Sequence, residues 1–166
     1  MNGGYVNVGA YVGDGTMVDS NALVGSGAQI GERSHLSAGV VIAGVLEPAG
    51  QHPISVGNDV FVGAGAILAE GTVIGNGTAI DAGTVIHHRT PVFDTTTGDY
   101  IRPRDGRIYI PNDVLVVPAF FPPQPGDYRL EFARAEGITV RGAMIVKHYD
   151  PSEEMSARRA INYDLR

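Results

Sequence analysis

From Tyr5 to Gly44 the chain divides into hexads, YVNVGA-YVGDGT-MVDSNA-LVGSGA-QIGERS-HLSAGV-VIAG, and the second residue of each is aliphatic. These residues are Val6, Val12, Val18, Val24, Ile30, Leu36 and Ile42. The series resumes as Val56, Val62, Leu68, Ile74, Ile80 and Ile86. The residue two before each is usually small, as at Ala10, Thr16, Ala22, Ala28, Ser34, Ala66, Thr72, Thr78 and Thr84. The residue after it is often glycine, as at Gly13, Gly25, Gly31, Gly57, Gly63 and Gly75. A fixed period marks a repeat architecture. One inward aliphatic per six residues predicts short strands joined by tight turns, three strands to a triangular coil. Small residues fill the corners and glycine supplies a positive φ where a turn requires one. Ordinary hairpins would show period-two alternation with irregular turn spacing. The expected fold is therefore an all-β solenoid of parallel strands, about four coils high.

Composition agrees. Glycine accounts for 23 of 166 residues, tryptophan is absent and aromatics make up 7%. A compact globule fills its centre with aromatic side chains, whereas a solenoid needs only a narrow aliphatic column. The formal charge of −6, from 12 basic and 18 acidic residues, argues against a nucleic-acid partner. With no cysteine there are no disulfides, thiolate metal sites or cysteine nucleophiles. No apolar run approaches the roughly 20 residues of a membrane span. The N-terminus has no signal-peptide pattern, so a soluble cytoplasmic protein is expected.

The two halves of the series are out of phase: Ile42 and Val56 stand 14 residues apart rather than 12. Residues 44–53, rich in Gly and Pro, read as an extruded loop. The solenoid is expected over 1–88, and a C-terminal extension with strands and a terminal helix over 89–166. In that extension 89–113 is polar, and Val114–Ala119, Tyr128–Phe132 and Ile138–Lys147 read as strands. Residues 119–128 suggest a turn or lid. Asp150-Pro151-Ser152-Glu153 has the pattern of a helix start, and that helix is expected to run to about Asn162.

Several segments resemble the tetrahydrodipicolinate N-succinyltransferase family of hexapeptide-repeat acyltransferases. They are Tyr5-Val6-Asn7-Val8-Gly9-Ala10-Tyr11-Val12, Gly15-Thr16-Met17-Val18-Asp19, Val24-Gly25-Ser26, Ala28-Gln29-Ile30-Gly31, His35-Leu36-Ser37, Gly44-Val45-Leu46-Glu47-Pro48, Ile145-Val146-Lys147 and Ala160-Ile161-Asn162. The resemblance implies a left-handed coil, a homotrimer, and acyl transfer from succinyl-CoA or acetyl-CoA to the amine of a small amino-acid-like acceptor, in the family's case on the lysine and diaminopimelate route. No permanently bound cofactor is implied. The chain departs from the family in two places. It begins where the β-helix begins, without the family's N-terminal helical domain. The family's Gly-Ala-Arg-Ser-Glu reads Gly63-Ala64-Gly65-Ala66-Ile67 here, so the Arg and a catalytic Glu are replaced. Two alternatives stay open: a catalytically inactive or partner-requiring β-helix subunit, and a metal-dependent hydratase of the carbonic-anhydrase type.

Asp19 is the first catalytic candidate, because it occupies a slot filled by glycine in six other hexads. A carboxylate there can hold an ammonium and accept its proton during attack on a thioester, or merely satisfy turn amides. The family's matching Asp faces the acceptor amine. His35, expected to point outward, is the rival base. Asp81 and His87 share Asp19's slot but match no family motif. Gly44, Gly63 and Ala64 would let a pantetheine arm approach the backbone, and Lys147 would meet its phosphates. Glu47 and Glu70 are the expected substrate-binding acids. His52, His87 and His88 lack the spacing of a zinc site, and no metal is expected. Without cysteine, direct transfer in a ternary complex is expected.

Overall fold

The computed structural model describes residues 3–46, 50–123 and 131–150. The hexads form a parallel β-helix with three faces. The first face stacks β1 (Tyr5–Val6), β4 (Leu23–Val24), β7 (Val41–Ile42), β10 (Ile67–Leu68) and β13 (Val85–Ile86). The second stacks β2 (Tyr11–Val12), β5 (Gln29–Ile30), β8 (Ser55–Val56), β11 (Thr72–Ile74) and β16 (Ile108–Ile110). The third stacks β3 (Met17–Val18), β6 (His35–Leu36), β9 (Phe61–Val62), β12 (Ala79–Ile80) and β17 (Val114–Phe121). Thirteen strands belong to the regular hexads. β16 and β17, from the C-terminal part of the sequence, complete a fifth rung on their faces. The boundary at 88 thus marks the end of the regular hexads, while the stacking continues through 108–121.

Each second-position aliphatic points inward, and in the inner coils these side chains are fully buried: Val24, Leu36, Ile42, Val62, Leu68, Ile80 and Ile86 are all 0% exposed. Val6 is 46% exposed, since no described strand lies over the first coil. The small-residue column does more than save space. Thr16 Oγ1 donates to the Gly31 carbonyl (2.7 Å) and accepts the Ser34 amide (3.0 Å). Ser34 Oγ in turn accepts the Val60 amide (3.0 Å). At the corner between the second and third faces an asparagine ladder joins the coils. Oδ1 of Asn58, Asn76 and Asn112 accepts the amide of Glu32, Asn58 and Asn76, at 2.8, 2.8 and 2.9 Å. Backbone amides with no partner inside their own coil are thereby paired with the next one.

Glycine plays two parts. The left-handed backbone falls three residues after the inward aliphatic, at Gly39 (φ 69°) and also at Asn21 (58°) and Asp59 (57°). The glycine directly after the aliphatic has no positive φ; its constraint is space. A Cβ at Gly57 would run into the Asn76 side-chain oxygen and lie 2.9 Å from the Asn76 amide nitrogen.

Both interruptions leave from one corner, between the first and second faces: the 43–54 loop after β7 and the 87–107 excursion after β13. The excursion carries β14 (Val92–Asp94) and β15 (Asp99–Tyr100). β18 (Val140–His148) lies between β17, to which it is antiparallel, and β14, to which it is parallel. Tyr149 covers the outer side of Ala79 and Leu115 on the third face. Two expectations need correction. Glu131 and Phe132, expected in a strand, open the short helix α1 (Glu131–Ala135). Phe120 and Phe121, expected in a turn or lid, are tied into the ladder opposite Arg141 and Val140. The rest of the lid segment, from 124, and the terminal helix from Pro151 lie outside the described residues.

Candidate functional site

Register brings Asp19 and His35 together. β3 pairs with β6 so that Met17 faces His35 and Val18 faces Leu36. Asp19 then turns the corner into the first face with its amide on the Leu36 carbonyl (3.0 Å). Its Oδ1 accepts the Ser20 amide at 2.6 Å, while Oδ2 lies 3.9 Å from His35 Nε2. That gap is too long for a hydrogen bond. The His35 ring stands edge-on to Phe61, with centroids 5.2 Å apart. Its Nε2 is buried without a partner among the described residues. The Asp19 carboxylate is 41% exposed. An open carboxylate beside an imidazole can receive a proton from a bound amine and pass it on.

The turn-capping role of Asp19 is real and is not unique. Asn7 Oδ1 accepts the Val8 amide and Asp81 Oδ1 accepts the Ala82 amide, each at 2.7 Å. What sets Asp19 apart is the histidine one rung along. Gly63 and Ala64 lie at the same corner in the third coil, with Ser37 between Gly63 and Asp19, as the amide-to-carbonyl steps Ser37 to Val62 and Gly63 to Ile80 show.

The other candidates sit elsewhere. Gly44 and Glu70 occupy the opposite edge of the first face, at the corner where the interruptions leave. Lys147 is on β18, opposite Leu115, with its ammonium 5.0 Å from the Tyr149 ring centroid. Glu47 lies outside the described residues. Asp19 and Glu70 are therefore not brought together within one chain; they are separated by a face and by three coils.

Two arrangements were not legible in the sequence. Glu70, His87, His88 and Arg89, with Ala69, line a surface cavity of about 370 Å³. His88 Nδ1 is 3.9 Å from Glu70 Oε2, and Arg89 Nε donates to His88 Nε2 (3.1 Å). His87 is pushed below the usual imidazole range by burial first, then by His88 and Arg89. The sequence offered Glu70 as a substrate-binding acid and the paired histidines as a metal candidate, but not that they share one cavity with Arg89. Among the described residues no group of three or more His, Cys, Asp or Glu is arranged to hold a metal ion. The second arrangement is Asp94, 2% exposed, whose Oδ2 bonds His148 Nε2 at 2.9 Å. No sequence spacing links residues 54 apart.

Residues 9–44 and 53–88 match the family model of the bacterial transferase hexapeptide (six repeats), and the coil is the left-handed parallel β-helix of that repeat. No curated protein sequence matches the chain. Among solved structures, a presumed acetyltransferase of Bacillus cereus aligns with 16% identity over 96% of this chain and 78% of its own, at a TM-score of 0.50. Serine acetyltransferase of Brucella abortus aligns with 23% identity over 66% of this chain and 36% of its own, TM-score 0.47. Perosamine N-acetyltransferase of Caulobacter crescentus, solved with CoA and GDP-perosamine, aligns with 22% identity over 69% and 50%, TM-score 0.36. The chain spans about two fifths of the length of the serine acetyltransferases it matches. At these identities the likeness is one of fold. No described helix is long and apolar enough to cross a membrane.

Proposed function

We propose that the protein is an acyl-CoA-dependent N-acyltransferase acting on the amine of a small amino-acid-like acceptor. The observation that carries this reading is the Asp19–His35 pair on the open edge of a transferase hexapeptide coil. The amine nitrogen attacks the thioester carbonyl, forming the N–C bond as the C–S bond breaks. Asp19, the more exposed base of the pair, takes the proton lost by nitrogen and gives it up to the departing sulfur. Orientation of the amine beside an already activated ester supplies much of the rate. The resemblance to tetrahydrodipicolinate N-succinyltransferase favours succinyl as the acyl group; the acetyltransferases of the same fold favour acetyl.

The assembly belongs to the same proposal. Every outward residue of the first face is apolar: Tyr5, Leu23, Val41, Ile67 and Val85. Gly63 flanks this face on one edge and Gly44 on the other, both in the third coil. In a homotrimer the Gly63 edge of one subunit meets the Gly44 edge of the next. The carrier arm of CoA runs along that seam, its thioester at Asp19 and its phosphates toward Lys147, about 24 Å away at five strand steps.

The test is thiol release from succinyl-CoA and acetyl-CoA, in parallel, against amino-acid acceptors including 2-aminopimelate. A cysteine-free protein gives no thiol background. Acceptor-dependent release that falls about a hundredfold in Asp19→Asn is the expected result. No release with any pair, from folded trimer, moves the assignment to an inactive or partner-requiring β-helix. The replacement of the family's Glu by Ile67 favours that second reading.

A further inference from the structure

The cavity at the opposite edge of the first face has a charge pattern of its own. Arg89 Nε and the Arg89 backbone N–H are donors only. His88 Nε2 accepts the first at 3.1 Å and His87 Nδ1 accepts the second at 3.1 Å. These contacts fix both tautomers: the hydrogen is on Nδ1 of His88 and on Nε2 of His87. His88 Nδ1 is buried and donates to nothing among the described residues, because Glu70 Oε2 stands 3.9 Å off. The Glu70 carboxylate and the terminal nitrogens of Arg89 also have no hydrogen-bond partner among the described residues. The His88 ring stands between these two charges, and the cavity they share, about 370 Å³, exceeds by far the roughly 30 Å³ of one water.

A simple anion is repelled here by Glu70 and a simple cation by Arg89. A ligand carrying both charges on neighbouring atoms is repelled by neither. We infer that the Glu70–His87–His88–Arg89 cavity binds the head group of a free α-amino acid, with the ammonium on Glu70 and the carboxylate on the terminal nitrogens of Arg89 and the Nε2–H of His87. The site lies three coils and a face away from Asp19, so its occupant is not the acceptor held by Asp19 in the same chain. The cavity shares the Gly44 edge, so in the proposed homotrimer it opens on the seam with the next subunit; binding of the amino acid itself does not depend on acyl transfer.

Calorimetric titration of the protein, without CoA, with glycine and with alanine tests it. N-acetylalanine lacks the ammonium, alanine methyl ester lacks the carboxylate, and inorganic phosphate is a plain anion. Saturable binding of the two amino acids is expected, with at least tenfold weaker binding of all three controls. Glu70→Gln and Arg89→Gln are each expected to weaken amino-acid binding at least tenfold, with the melting curve retained. Addition of alanine should also shift the ring ¹⁵N signals of His87 and His88, in the wild type and in Asp19→Asn alike. Equal binding of phosphate or N-acetylalanine overturns the zwitterion assignment. So does binding that survives both substitutions, and so does the absence of binding in folded protein.

Discussion

At the residue scale, the slot after each inward aliphatic sits against the backbone of the next coil. Two solutions recur there. Glycine leaves the room empty, and Asn7, Asp19 or Asp81 caps the following amide with a side-chain oxygen. Period six reveals the slot but not which constraint rules it, so Gly57 and Gly39 read alike in the sequence as turn glycines. The structure separates them. A Cβ at Gly57 meets Asn76 and displaces the oxygen that accepts the Asn58 amide. A Cβ at Gly39 meets nothing within 4 Å and suffers only the positive φ of 69°. Gly57→Ala should therefore lose about 3 kcal/mol, combining overpacking with a lost hydrogen bond. Gly39→Ala should lose about 1 kcal/mol, the strain of an L-residue in the left-handed region. Urea midpoints of the two variants check the difference; equal losses would mean that the close approach at Gly57 costs no more than the strained φ at Gly39. The same limit applied to Asp19. Its oddness was legible, but its partner was not, because His35 comes within reach only through the stacking of two coils.

At the element scale, the strands that repeat were legible and the strands that do not repeat were only half so. A strand's periodicity says that it is a strand, and a solenoid's regular turns also say what lies beside it. β14, β17 and β18 have no such rule, and the insertion of β18 between the other two is set by long-range pairing. One contact pins that arrangement. Buried Asp94 accepts from the Thr96 amide (2.9 Å), the Thr96 hydroxyl (2.7 Å) and His148 Nε2 (2.9 Å), tying β14 and the turn after it to the end of β18. Burial raises the Asp94 pKa, but the hydrogen bonds from Thr96 and His148 outweigh it and hold the carboxyl below its ordinary value of 3.8. In the unfolded chain Asp94 takes up its proton near that value, while the folded chain keeps it charged to lower pH. Over that window the unfolded state binds more protons, so stability is full above it and falls as pH drops through it. Asp94→Asn should cost roughly 2 kcal/mol at pH 7, the worth of hydrogen bonds to a charged group, and should shallow the acid limb. Thermal midpoints by circular dichroism across the acid range, for wild type and variant, measure both. Parallel acid limbs would show that Asp94 titrates alike in both states.

At the scale of the whole molecule, the three faces differ in what lies over them. The third is covered by its own chain, with β17 and β18 extending it and Tyr149 packed on Ala79 and Leu115. The second is mixed, with Tyr11, Gln29, Ser55, Val73 and Tyr109 pointing outward. Only the first is apolar at every rung, and no described segment covers it. The phase slip between Ile42 and Val56 announced one interruption in the sequence. That the second leaves from the same corner, keeping the first face flat from end to end, could not be read there, since the hexads stop before the chain returns at β16. A flat apolar face flanked by two candidate edges suits a closed ring of like subunits. Val41 stands at its centre, between Leu23 and Ile67. Its side chain points away from the core, so Val41→Glu leaves the coil folded and, in the proposed trimer, places three carboxylates on the apolar faces that come together, where desolvation of an unpaired charge costs several kcal/mol. Ser55→Glu places the same charge on the second face in the same coil. Light scattering should give the wild type and Ser55→Glu three times the 17.5 kDa of one chain, and Val41→Glu a single 17.5 kDa. A trimer that survives Val41→Glu would assign the seam to another face and part Gly44 from Gly63. A monomeric wild type would leave Asp19 and His35 to work, if they work, on an edge open to solvent.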